Sequence, residues 1–257
     1  MKSVVIVVNN SPQTLNNLDL AADLAARMKA RLDALFVEDI DLLNLAGLPF
    51  AVEVDPTSGE QRKLSALTVT SQLQHRARRL QQQLRSAGGS RNVVTSLRVV
   101  RGAYFAEAMR ASADVLFLST SRRVSAAAKP GRKLPDKPAA RATDNPVVHV
   151  LLDEATDPCS LLQKAADLTT ALGAGHIVVQ CMANVQGNES FSIAIDELRK
   201  QDISVRIQQI GNDMAAAVPV IGNSGCALLL MSRKYAEVHQ GQLATLEKLH
   251  CPLVLVS

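Results

Sequence analysis

The chain of 257 residues is long enough for one large core or two small ones, and 47% of it is apolar, with only 3% aromatic residues and no tryptophan. Its formal charge of +4 conceals an asymmetry: residues 1–145 hold 21 Lys and Arg against 13 Asp and Glu, whereas residues 146–257 hold 7 against 11. This composition argues against an aromatic-rich sandwich. With no apolar run near the roughly 18 residues needed to cross a bilayer, it also argues against a membrane-spanning helix.

Residues 4–8, Val-Val-Ile-Val-Val, form a continuous apolar run of the kind buried on both faces of a parallel sheet. The run is too short for a signal peptide and no small-residue cleavage site follows, so the chain is expected to be cytoplasmic. Leu18, Ala21, Ala22, Ala25 and Met28 recur at three- and four-residue spacing, one face of a helix. A second strand is expected over 32–37, then a loop containing Leu48-Pro49-Phe50. A long helix over about 60–87 would bury Leu64, Leu67, Leu73, Ala77, Leu80 and Leu84 and end at Gly88-Gly89. Arg76, Arg78, Arg79 and Arg85 lie mostly off that face and read as a solvated basic surface, while Asp19, Asp23 and Glu38-Asp39-Asp41 read as solvated acids. A third strand over 93–100, Gly102, an Ala-rich helix over 103–113 and a fourth strand over 115–119 complete the first half. Residues 122–145, with Pro130, Gly131, Pro135, Pro138 and many cations, read as a basic linker. The linker has no aromatic residue for base stacking, and nucleic acid is not expected as a partner.

The second half then repeats the first. At an offset of 144, residues 4–9 fall on 148–153, and Ala21-Ala22-Asp23-Leu24 falls on the identical Ala165-Ala166-Asp167-Leu168. Residues 34–37 fall on 178–181, so the two copies align without a gap through a strand, a helix and a strand. Each is a βαβ unit, whose crossover should be right-handed. The long helix shrinks to 190–200 in the second copy. A third strand over 203–210, Gly211, a helix over 214–221, a fourth strand over 228–232 and a last strand over 253–256 follow. The four cysteines, Cys159, Cys181, Cys226 and Cys251, form no C-x-x-C pair, and Cys181 and Cys226 read as buried thiols. The histidines are scattered, so no metal site is expected.

This doubled order resembles the universal stress protein family, in a tandem arrangement. The strings that carry the resemblance are residues 30–38 (Ala-Arg-Leu-Asp-Ala-Leu-Phe-Val-Glu), 113–118 (Ala-Asp-Val-Leu-Phe-Leu), 150–154 (Val-Leu-Leu-Asp-Glu) and 250–256 (His-Cys-Pro-Leu-Val-Leu-Val). The resemblance implies an α/β fold of two open parallel sheets of strand order 3-2-1-4-5, Rossmann-like, with helices on both faces. The first repeat would span 1–121 without a fifth strand of its own, and the second 146–257 with a shortened middle and phosphate loop.

ATP-binding members of the family place an Asp after the first strand and a loop of pattern G-x2-G-x9-G-[ST] after the fourth, where glycines admit phosphate to backbone N–H groups. The first-strand acid falls on Asp153 in the second repeat and on Asn9 in the first. The two early glycines fall on Ser119 and Arg122, and on Ser232 and Tyr235, none of them glycine. The candidate nucleotide crevice is therefore Asp153, Ser232, Arg233 and Lys234, with Asn9 and Ser119 at the equivalent places in the first repeat. The resemblance implies a non-catalytic, regulatory or stress-response binding protein with degenerate ATP sites, no cofactor, and a protein partner or self-association. The alternative is a nucleotide-binding protein that holds ATP or AMP weakly through the second repeat. An adenylating enzyme on the same sheet is disfavoured, because no nucleophile, His/Asp constellation or pyrophosphate loop is present.

Overall fold

A computed structural model describes residues 2–9, 14–54, 58–118, 146–182, 185–210, 214–223, 226–246, 249 and 251–257. Ser119, the 122–145 linker and Gly211 lie outside the described residues. The chain divides into two compact units, residues 1–116 and 117–257.

In the first unit the order is β1 (Ser3–Val8), α1 (Thr14–Arg27), β2 (Arg31–Asp39), α2 (Ile40–Ala46), β3 (Val52–Val54), β4 (Gln61–Lys63), α3 (Ala66–Gly89), β5 (Thr95–Gly102), α4 (Tyr104–Arg110) and β6 (Val115–Leu118), the last straddling the division. Its sheet runs β5-β2-β1-β6, the order 3-2-1-4, with β1 parallel to β2 and β2 parallel to β5. All six residues of β1 are buried, as a strand packed on both faces requires. Beside them Leu18, Ala21, Ala22, Leu24 and Ala25 present the buried stripe of α1.

In the second unit the order is β7 (Val147–Leu152), α5 (Pro158–Ala171), β8 (His176–Cys181), α6 (Glu189–Lys200), β9 (Ser204–Gln209), α7 (Met214–Asn223), β10 (Cys226–Ser232), α8 (Arg233–Val238), α9 (Gln240–Leu246) and β11 (Leu253–Val256). Its sheet runs β9-β8-β7-β10-β11, the order 3-2-1-4-5, and every pairing in it is parallel. The repeat is visible residue for residue at the start: β7 and α5 are β1 and α1 displaced by 144.

Several details depart from the sequence reading. The ungapped alignment slips at the second strand: Ser3 pairs with Arg31, but Val147 pairs with His176, one position further on. The return from α5 has one residue more than the return from α1, and a shift of one exchanges the faces of the strand. The stretch read as a plain loop holds α2 and the antiparallel β3–β4 hairpin, and the long helix begins at Ala66. Leu64 therefore precedes the helix, Leu67 is 84% exposed, and Val69 takes the buried place instead. The acids are not simply solvated. Glu38 is buried and accepts a 2.8 Å hydrogen bond from Arg101 Nε, while Arg91 forks onto Asp23 and reaches Asp19 at 3.4 Å. Those carboxylates raise the Arg91 pKa, the hydrogen bond to Asp23 contributing most.

The second core also holds a row of polar side chains. Gln180 on β8, fully buried, donates through Nε2 to Gln208 Oε1 on β9 at 2.9 Å and lies 3.3 Å from His149 Nδ1 on β7.

Candidate functional site

In an open parallel sheet, ligands settle beyond the carboxyl ends of the strands where the strand order reverses. In the second unit that place lies between β7 and β10, and two adjoining hollows open there. One, of about 390 Å³, is lined by Asp153, Glu154, Met182, Lys234, Tyr235 and His239 among others. The other, of about 180 Å³, is lined by Thr156, Asp157, Ser160, Ser232, Lys234 and Val256 among others. Lys234 and Ala155 belong to both.

Asp153 follows β7 directly and is half-buried; the Thr156 hydroxyl donates to its Oδ1, while the Thr156 N–H donates to its carbonyl at 3.3 Å. This turn holds the carboxylate at the mouth of the larger hollow. Asp157 then caps α5, accepting from the N–H groups of Cys159 at 3.2 Å and Ser160 at 3.1 Å.

Across the crevice, Ser232 ends β10 and caps α8. Its Oγ accepts the Tyr235 N–H at 3.1 Å, so the hydroxyl and that amide satisfy each other. Arg233 is largely covered and donates from Nε to Glu237 Oε1 at 2.9 Å, one helical turn on. Lys234 is exposed and borders both hollows. Tyr235 is buried, with its ring 4.3 Å from the imidazole of His239 and tilted 37° to it.

The structure thus gathers Asp153, Ser232 and Lys234 at one end of β7 and β10. Arg233 is drawn into its own helix. Asn9 follows β1 in the first unit, the place Asp153 takes in the second, and Ser119 is outside the described residues. Thr156, Met182 and His239 were not foreseen. Only the i, i+4 spacing of Tyr235 and His239 hinted at a paired surface in the sequence. Among the described residues no group of His, Cys, Asp and Glu is arranged to hold a metal ion, and no helix is long and apolar enough to cross a membrane.

No family model matches the sequence, and no curated protein matches it. Solved structures do. A universal stress protein from Archaeoglobus fulgidus DSM 4304 superimposes with a TM-score of 0.53 at 9% identity, over 99% of this chain and 96% of the other. The cytoplasmic domain of a prokaryotic cation chloride cotransporter gives 0.42 at 12% identity, over 99% of this chain and 94% of that one. A protein of the universal stress protein family from Burkholderia pseudomallei gives 0.28 at 15%, over 80% and 95%. The Archaeoglobus match is a likeness of fold and extends over nearly the whole of both chains: this protein has the universal stress protein fold.

Proposed function

We propose that the chain is a non-catalytic universal-stress-type binding protein, in which the crevice of the second unit no longer cradles phosphate and the partner is a protein or another copy of the chain. The junction of β10 and α8 carries this reading. A phosphate cradle needs backbone N–H groups open to solvent and no side chains in the way. Here the Tyr235 N–H is engaged by Ser232 Oγ, the Tyr235 side chain is buried, and Arg233 Nε is paired with Glu237. Lys234, exposed and bordering both hollows, offers an anion a point charge without shape.

One observation favours the other reading. Asp153 and Lys234 border one hollow together with the Tyr235–His239 ring pair, which supplies an acid, a cation and an aromatic surface. Calorimetric titration of the full chain with ATP and with AMP separates the two. The binding-protein reading expects no saturable heat at millimolar nucleotide. Micromolar binding that disappears in Asp153→Ala would replace it with the nucleotide reading.

A further inference from the structure

Two of the four cysteines meet. Cys226 opens β10 and is half-buried, Cys251 precedes Pro252 at the entry to β11 and is buried, and their sulfurs stand 2.8 Å apart, with Cys226 donating to Cys251. A disulfide bond is about 2.05 Å long, so only a small approach separates this pair from one. The fold brings them together in two ways. β10 and β11 are adjacent parallel strands, and Leu229 N–H donates to the Pro252 carbonyl at 2.9 Å just inside the pair. In addition, the ladder of β10 on β7 shifts between Cys226 and Leu228, a bulge that breaks the alternation of side chains and re-aims Cys226.

We infer that Cys226 and Cys251 form an oxidisable dithiol that closes to an intramolecular disulfide when the chain meets a peroxide. Of the two residues Cys226 is the less buried, and in this proposal it is the sulfur that meets the oxidant first. Its thiolate attacks one oxygen of hydrogen peroxide, the O–O bond breaks, and the departing hydroxide takes up a proton as water. Cys226 is then a sulfenic acid. Cys251 attacks that sulfur, the S–S bond forms as the S–O bond breaks, and the second oxygen leaves as water with the Cys251 proton. Two thiols are oxidised by two electrons and one peroxide is reduced to two waters. Burial, and then the neighbouring Cys251, raise the Cys226 pKa, so little thiolate is present at neutral pH and the first step is slow there. The bond would join the two ends of a segment that contains β10, α8 and α9, and with them Ser232 and Lys234. It does not depend on whether that crevice holds a nucleotide.

The test uses the full chain, reduced and then exposed to excess hydrogen peroxide before alkylation and digestion without reductant. The expected result is a peptide joining Cys226 to Cys251, released by dithiothreitol, with the number of titratable thiols falling by half from four. The joined peptide should form equally in a Cys159→Ser chain. Oxidation of Cys226 that stops at a sulfenic or sulfinic acid with Cys251 still free would overturn the inference. So would a Cys226–Cys251 link found only between chains.

Discussion

His149 sits in the middle of β7 with none of its surface exposed, and its Nδ1 lies 3.3 Å from Nε2 of the equally buried Gln180. Burial alone pushes its imidazole down to about 4, from an ordinary value of 6.5. The consequence for stability follows from proton counting. Between those two values the unfolded chain binds a proton that the folded chain does not. The stability is therefore fully present above pH 6.5 and is lost as the pH falls toward 4. Between pH 7 and pH 5 the loss should be about 2 kcal/mol, read as a lower urea midpoint. A His149→Gln chain should lose that part of the acid sensitivity; an unchanged slope would show that another group is responsible. At this scale the sequence disclosed identities but not partners. Asp153 was legible because it ends an apolar strand at the repeat of Asn9. The pairing of Arg233 with Glu237 was spelled in i, i+4 spacing, yet nothing local said that the helix would hold Arg233 in this way. The meeting of Cys226 and Cys251 depends on a bulge and on strand adjacency, neither of which leaves a mark in composition.

The four main helix-to-strand returns share one geometry. Lys29, Asn92, Gly173 and Asp202, after α1, α3, α5 and α6, all take positive φ, between 51° and 64°. In each, the residue's own N–H bonds three residues back and the next N–H five back, as in Lys29 to Ala26 at 3.1 Å and Ala30 to Ala25 at 2.8 Å. This double bond satisfies the last carbonyls of the helix and turns the chain toward its strand. Only one of the four residues is glycine, so glycine positions alone do not mark these turns in the sequence. Gly88 and Gly89 instead end α3 itself, and a Cβ on Gly88 would lie 2.8 Å from the Val93 carbonyl oxygen. A left-handed conformation costs a side-chain-bearing residue roughly 1–2 kcal/mol, part of which glycine returns as unfolded-state entropy. Lys29→Gly should thus raise the urea midpoint by up to about 1 kcal/mol of stability, and Gly173→Ala should lower it by about as much. A Lys29→Gly chain less stable than its parent would show that the Lys29 side chain contributes more than its backbone strain costs. The β3–β4 hairpin was illegible for a different reason. Its strands are three residues each and wholly exposed: Val52-Glu53-Val54 is too short for its alternation to be told from chance, and Gln61-Arg62-Lys63 has no apolar residue.

At the scale of the whole molecule, the doubling is what the sequence expressed most strongly, because apolar strands recur in it at a fixed interval. The strand orders 3-2-1-4 and 3-2-1-4-5 came from resemblance, since periodicity finds strands but cannot rank them across a sheet. Each unit has its own buried strands and helix faces, and by chance of composition each also carries one of the two tyrosines, with no tryptophan to mask them. Tyr104 of the first unit donates from its hydroxyl to the Val7 carbonyl at 3.0 Å, and Tyr235 of the second is buried. Tyr235→Phe therefore leaves a fluorescent reporter in the first unit alone, and Tyr104→Phe leaves one in the second alone. Because His149 belongs to the second unit, acidification from pH 7 to pH 5 should lower the midpoint reported by Tyr235 more than the one reported by Tyr104. Each variant is compared with itself at the two pH values, so the cost of the substitution cancels. If both midpoints move together by the same amount, the chain unfolds as one cooperative body and the acid sensitivity of His149 is shared by both units.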